Sequence, residues 1–410
     1  MKIAIFGSTL YAGVMATLFA ECGHQVLWYD SDEIDDIEVA QRLLKQQNHG
    51  RLQYLADINH AQSLDVFLLC YRPTEQYQAQ ERIKQLSQLP INARALMMNG
   101  STFGLQGTQQ LREFLPHHLW VYLPDIIQEG NAIQSLLTAK QVMIGYDSHD
   151  AIEIMEELLR PLFNDAQRYL WMPILDAELA KLSISGMLAT RISYMNDIAV
   201  MAEKLGVDIM NIKQGMAADS RIGATYLSPG VGFGGEHFSH DILTLSSEVS
   251  KSGTKSRLLS QVWQINEDQK EILFRKLWDH YGSNLKGKTV AIWGASFKEN
   301  TANTHNSPIH VMLKALWAQG VKVQLHDPQA LDEMKEQYGE RDDLMYCSDQ
   351  YDAVINVDAL CIITAWKQYF SPDYEKLLSI MNTPLILDGR NIYNPSYMKS
   401  KGFIYSGVGR

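Results

Sequence analysis

Hydrophobic residues follow two rhythms along this chain. Short apolar runs recur in the first part, at Lys2 to Phe6, Gln25 to Tyr29, Asp65 to Cys70, Ala95 to Asn99, Trp120 to Leu123 and Gln141 to Gly145. Each has the length and the flanking turn residues of a buried strand. A helical stretch from Val14 to Glu21, ending near Gly23, separates the first two. Alternating runs of this kind predict a parallel sheet with crossover helices. From Asp176 to about Leu205 the rhythm changes to helical spacing, with Leu179, Leu182, Met187, Leu188, Ile192, Met195 and Ile198 on one periodic pattern. Asp176 is placed to cap that helix and Gly206 to end it. About 30 residues span roughly 45 Å, long enough to join two domains and to pack against a second subunit. Helical segments continue to about Tyr281, and Ser283 to Gly287 reads as a linker turn. A second strand and helix pattern then begins at Thr289 to Gly294, with further strands at Val321 to His326, Cys361 to Thr364 and Pro384 to Asp388.

A chain of 410 residues is too long for a single core. The 20% charged and 46% apolar content is an ordinary globular balance without a disordered or low-complexity segment. A net charge of -11 and the lack of a basic run argue against a general nucleic-acid binder. No stretch approaches the ~20 apolar residues of a membrane span, and the opening MKIAIFGS reads as a strand rather than a signal peptide. Neither nucleic acid nor membrane is therefore an expected partner. Cys22, Cys70, Cys347 and Cys361 have no metal or redox spacing, so the expectation is buried thiols in a cytoplasmic protein, with no metal site.

Two stretches carry candidate chemistry. The first is the turn Gly7 to Gly13 between strand and helix, followed at the end of the next strand by Asp30. An acidic residue about 20 positions after such a turn is the dinucleotide-binding arrangement, with phosphates on the helix N-terminus and ribose hydroxyls on the carboxylate. The alternative is that the pattern is merely the first turn of an α/β sheet with no ligand. The second stretch is Asp219 to Asp241, with five glycines from Gly223 to Gly235 and with Pro229. Glycine and proline exclude regular structure there, so a loop is expected, serving either as turns or as backbone that a ligand approaches closely. Glu236, His237, His240 and Asp241, four titratable groups within six residues, favour the ligand reading.

At that loop the chain resembles the UDP-glucose/GDP-mannose dehydrogenases. The shared residues are Arg221-Ile222-Gly223, then Leu227 to Gly235, then Asp241. The resemblance runs through the whole chain in order: Tyr11-Ala12-Gly13, Ser101-Thr102, Pro124-Asp125 with Glu129-Gly130, Lys181, Gly294 to Thr301 with Phe297-Lys298, Ser307-Pro308, Asp327-Pro328, Thr364 and Trp366, and Asp388-Gly389-Arg390-Asn391. It implies two Rossmann-like parallel-sheet α/β domains joined by a long central helix and a helical middle domain. The expected boundaries are 1–175 for the dinucleotide domain, 176–285 for the helical and dimerisation domain with the loop 219–241, and 286–410 for the nucleotide-sugar domain.

The resemblance further implies NAD as cofactor, held by Gly7, Tyr11, Ala12, Gly13, Asp30 and Thr102. It implies a nucleotide sugar as substrate, held by Asp125, Arg221, Tyr226, Gly230, Gly234, Phe297, Lys298 and Arg390. The long central helix points to a homodimer, although its apolar stripe could as well be buried within one subunit. Its reaction is oxidation of a sugar C6 alcohol in two steps, the second through a cysteine thioester. In the family GG is followed by S-C-F-P-K-D, whereas this chain reads GGEHFSHD, so His237 occupies the cysteine position. Lys181 matches the family lysine, and Ser185 stands where an asparagine follows it. Lys181, His237, Asp241, Glu129, Thr102 and Ser185 are the catalytic candidates, although Lys181 could equally lay its stem on apolar surface and its ammonium in water. Other departures are the missing middle glycine of the first turn, Tyr71-Arg72 in place of small residues, Gln128 in place of an arginine, and His305 in place of another. Weakened NAD binding is expected. Three readings stay open: an oxidoreductase with altered catalysis and His237 as a general base, a non-catalytic nucleotide-sugar-binding partner or sensor, and a retained fold serving another small molecule.

Overall fold

The short apolar runs become strands covered on both faces. The computed structural model describes every residue except 33, 164, 166, 167 and 255 and separates into two units, Met1–Ile184 and Ser185–Arg410. In the first unit the strands are β1 Lys2–Phe6, β2 Gln25–Tyr29, β3 Leu52–Leu55, β4 Val66–Leu69, β5 Leu96–Asn99, β6 Leu119–Tyr122, β7 Val142–Tyr146 and β8 Tyr169–Pro173. Their order is β3-β2-β1-β4-β5-β6-β7-β8. The helices are α1 Leu10–Glu21, α2 Ile37–Asn48, α3 Gln76–Leu86, α4 Gly107–Arg112, α5 Ala132–Leu137 and α6 His149–Leu159. Successive strand residues point to opposite faces: Ile3, Ile5, Leu68 and Met98 enter one core, while Ala4, Phe6, Phe67 and Met97 enter the other. Burial on both sides is why these runs are continuously apolar. The sheet is parallel except at β6 and β7, which pair antiparallel.

Helix α7 spans Ile174–Leu205 and contains the boundary between the units. It starts two residues before the expected cap, so Asp176 lies within the first turn, where a carboxylate still favours the positive end of the helix dipole. The second unit continues with α8 Ile209–Ala218, α9 Glu236–Lys251, α10 Arg257–Gln269 and α11 Ile272–His280. Its strands are β9 Thr289–Trp293, β10 Lys322–His326, β11 Leu344–Tyr346, β12 Ala359–Ile362, β13 Leu385–Asp388 and β14 Ile404–Gly407. All are parallel, in the order β11-β10-β9-β12-β13-β14, with α12 Pro308–Ala318, α13 Leu331–Tyr338, α14 Tyr374–Ile380 and α15 Pro395–Ser400 as the remaining helices.

Both sheets therefore have the doubly wound order, in which the chain reverses direction between β1 and β4 and again between β9 and β12. Ligands of such sheets bind outside the carboxyl ends of the strands at these switch points. Two expectations need correction. Glu236, His237, His240 and Asp241 are on α9 rather than on the loop, because Gly235 at φ +90° lets the chain turn directly into a helix. Cys22 is partly exposed, unlike the three buried cysteines.

Candidate functional site

In the first unit the switch point is a cleft of about 350 Å³ lined by Gly7, Ser8, Asp30, Tyr71, Arg82 and neighbouring residues of α3. Gly7 ends β1 at φ +101°, and a Cβ there would lie 2.1 Å from the Cys70 carbonyl oxygen, so only glycine lets β1 and β4 end side by side. Thr9 caps α1: its hydroxyl accepts from the Ala12 amide at 3.2 Å and donates to the Cys70 carbonyl at 3.1 Å. The helix thus begins at Leu10, and Tyr11, Ala12 and Gly13 are helical rather than part of the turn. Tyr11 is buried and donates to the Leu123 carbonyl at 3.3 Å, while Gly13 leaves room for Ile34 and Val39.

Asp30 follows β2 in the left-handed region at φ +57°. Its Oδ2 accepts from the Tyr71 hydroxyl at 2.9 Å and from Arg82 Nε at 3.1 Å, and Arg82 Nη2 donates to Oδ1. Burial and the Asp30 charge hold the Tyr71 phenol protonated, well above its ordinary range. Tyr71 and Ser101 tie the ends of β4 and β5 together, the Tyr71 amide donating to Ser101 Oγ at 2.8 Å. Thr102 beside it is buried. Asp125 accepts from the Ile127 amide at 3.0 Å after β6, and Glu129 and Lys181 are half-buried. Glu178 was not foreseen. It is buried and receives the Gln106 and Thr108 amides at 2.7 and 2.8 Å, closing the start of α4. Burial raises its pKa against those bonds.

In the second unit the glycine loop is clamped from several sides. Asn266 grips Phe233 in both directions, accepting its amide at 2.7 Å and donating to its carbonyl at 3.1 Å. Asn196 accepts the Gly230 amide at 2.9 Å, and Gln269 donates to the Gly230 carbonyl at 2.7 Å. The Arg191 guanidinium donates to the carbonyls of Ile222, Gly223 and Thr225, each at 3.0 Å. Arg221 itself is exposed and paired with Asp219 in the same turn, and Tyr226 adopts φ +58°.

The loop ends against the strand ends of the second sheet. A Cβ on Gly234 would lie 2.7 Å from the Asn306 carbonyl oxygen, and one on Gly235 would lie 3.1 Å from the Phe297 ring. Gly230 faces Arg390 at 3.3 Å and the Gly389 carbonyl at 3.0 Å by the same measure. Arg390 donates to the carbonyls of Phe297, at 3.2 Å, and Ile363. The Lys298 ammonium stands 5.5 Å from the Phe297 ring centroid. Lys270, buried behind the loop, donates to Asn306 at 2.6 Å and Glu267 at 2.8 Å. Burial lowers its pKa. Asn306 in turn donates to Ser239 on the first turn of α9 at 2.8 Å.

That first turn presents His237, half-buried, and Asp241 is buried one turn on. Ser185 donates to Asp241 Oδ2 at 2.7 Å. His240 bonds with Thr244 on its own helix at 3.2 Å, and burial lowers its pKa. Among the described residues no group of three His, Cys, Asp or Glu side chains could hold a metal ion.

Residues 291–395 match the UDP-glucose/GDP-mannose dehydrogenase family, UDP binding domain, and residues 175–268 match its central domain. A UDP-glucose 6-dehydrogenase of Pseudomonas aeruginosa is 37% identical over 290 residues, covering 70% of this chain and 64% of that protein. One from Rhizobium meliloti is 29% identical with both chains fully covered. The solved UDP-glucose dehydrogenase of Pyrobaculum islandicum shares the fold, with a TM-score of 0.89 at 23% identity over all of this chain and 97% of that one.

Proposed function

Because the chain belongs to the UDP-glucose/GDP-mannose dehydrogenase family, we propose that it is an NAD-linked nucleotide-sugar oxidoreductase whose two-step oxidation is altered at His237. The observation that carries this reading is the glycine loop of the second unit. Gly230 and Gly234 lack a side chain where a Cβ would meet Arg390, Phe297 or Asn306, so bare loop backbone lies against the strand ends of the second sheet, where a UDP-sugar would dock. Phe297, Lys298 and Arg390 serve the nucleotide, Tyr226 and Arg221 the outer part of the loop, and Asp125 the first unit's substrate strip.

UDP-glucose dehydrogenase family members use NAD. Gly7, Ser8 and Asp30 of the first unit, with the cleft above them, fit its adenosine end and would hold it there. Bound there, NAD supplies the hydride acceptor. Thr102, Glu129 and Lys181 are the first unit's own polar candidates, Lys181 as a cation that stabilises negative charge on a sugar oxygen.

His237 bears on the second oxidation. Capture of an aldehyde as a thioester needs a thiolate, which is both a strong nucleophile and a good leaving group. Imidazole lacks that pairing of properties but can take a proton from an alcohol or a hydrated aldehyde. The Ser185 hydrogen bond fixes the Asp241 carboxylate one helical turn from His237. The reaction then stops at the aldehyde, because His237 offers no thiolate to carry the second oxidation.

A homodimer fits α7. Met187, Tyr194, Met201 and Leu205 are 52–67% exposed and fall along one side of the helix, an apolar stripe of the kind that a partner covers. A second reading, a nucleotide-sugar-binding protein without catalysis, is favoured by one observation: Asp30 is already held by Arg82 and Tyr71.

Calorimetric titration of the full chain with UDP-glucose and with UDP tests the proposal. Binding of UDP-glucose at micromolar to millimolar concentration is expected. No heat with either nucleotide at millimolar concentration would overturn it.

A further inference from the structure

The strand order places β1 between β2 and β4. Asp30 follows β2, Gly7-Ser8 follows β1, and Tyr71 stands two residues past the end of β4. A hydrogen bond from Tyr71 to Asp30 therefore has to cross the turn at Gly7-Ser8, and all four residues line the same cleft. The crossing is rigid at both ends. Tyr71 is 6% exposed, with its amide fixed on Ser101 at 2.8 Å, and Asp30 is set by its left-handed backbone at φ +57°.

The Asp30 carboxylate is heavily subscribed. Its two oxygens take the Tyr71 hydroxyl, Arg82 Nε and Arg82 Nη2. A carboxylate offers about four acceptor positions, so about one is left where a ribose with two neighbouring hydroxyls would use two. Arg82 comes from α3 and its side chain is 19% exposed, whereas Tyr71 is buried beside the turn at Gly7-Ser8.

Resting on the oxidoreductase reading above, we propose that Tyr71 sets the affinity of the dinucleotide cleft: its phenol stands in for a ribose hydroxyl on Asp30, and a dinucleotide must displace it to bind. The ligand class is an adenine dinucleotide with an unmodified ribose, because Asp30, Glu75 and Glu81 outnumber Arg82 among the charged lining residues and would repel a phosphate on that ribose.

The test is calorimetric titration with NAD of the unaltered full chain, Tyr71→Phe and Tyr71→Ala, each also titrated with UDP-glucose. Removing the hydroxyl returns one acceptor of a charged group, so Tyr71→Phe is expected to bind NAD about tenfold more tightly, and Tyr71→Ala at least as tightly as Tyr71→Phe. NAD binding detectable only in the variants also supports the proposal. NAD affinity unchanged or weaker in both variants, with UDP-glucose binding intact, overturns it and leaves the family reading standing. Loss of UDP-glucose binding already in the unaltered chain instead overturns the reading on which it rests. The Phe variant keeps the ring and its packing, so a fold defect in the Ala variant does not decide the outcome.

Discussion

The hydroxyl of Ser185 donates to the carboxylate of Asp241 at 2.7 Å, and both side chains are buried. The bond joins the long helix α7 to the second turn of α9, four residues after His237. Removing the donor leaves a buried carboxylate with one partner fewer, which costs about 1–3 kcal/mol. Ser185→Ala is therefore expected to lower the unfolding free energy measured in urea by that amount, whereas Ser185→Thr, which keeps a hydroxyl, is expected to lose less. Equal losses in the two variants would show that packing, not the bond, sets the cost.

Gly234 sits where a Cβ would be 2.7 Å from the Asn306 carbonyl oxygen and 3.0 Å from Phe297 Cβ. Backbone cannot give way as a flexible side chain can. Gly234→Ala should displace the loop from Asn306 and Phe297, destabilise the protein by about 1–3 kcal/mol, and weaken UDP-glucose binding at least tenfold in a titration. An unchanged affinity would remove the loop from the sugar site.

Lys181→Met keeps the length of the stem and removes the charge. The site reading expects UDP-glucose affinity or turnover to fall at least tenfold with the melting temperature unchanged. If the ammonium only reaches water, neither quantity will move.

Acid should destabilise the second unit through its buried and partly buried histidines. His310 contacts the Tyr338 hydroxyl through Nδ1 and the Thr304 carbonyl through Nε2, both at 2.8 Å, with Glu333, Lys314 and His305 the charged groups around it. Burial lowers its pKa from the ordinary 6.5. The unfolded chain therefore takes up a proton at a pH where the folded chain does not, so stability is full above about 6.5 and falls as the pH drops toward the lowered value. One such group contributes a slope of up to about 1.4 kcal/mol per pH unit. His240 and His326 are shifted in the same direction, also by burial. Denaturant unfolding between pH 7 and 5 should show the decline, and His310→Gln should flatten it. A decline identical in that variant would assign the effect to other groups.

The parts of this fold that could be read from sequence are those that follow from short-range pattern. Continuous apolar runs such as Val66–Leu69 mark strands buried on both faces, and the spacing from Gly7 to Asp30 marks the first βαβ unit. Edge strands escaped because they are short or half exposed: β3 is LQYL with two exposed residues, and β11 has three residues. The glycine loop was legible as a loop, but its clamps were not. Asn196, Asn266 and Gln269 lie 33–39 residues away from the residues they hold, and nothing in their local pattern sets them apart from surface amides. The same is true of Arg82, which is 52 residues from Asp30. Sequence order shows which acid ends β2, but not which cation and which phenol already occupy it.

The central claim is that His237 on α9 replaces the thiol chemistry of the second oxidation, and the product formed tests it most directly. The full chain and its His237→Cys variant would be incubated with UDP-glucose and NAD, and the nucleotide products identified by mass spectrometry, with hydroxylamine present to trap any aldehyde. The account predicts aldehyde oxime, with little or no uronate, from the unaltered chain, and measurable uronate from the variant. Sustained turnover of UDP-glucose to the uronate by the unaltered chain, undiminished by hydroxylamine, would contradict it.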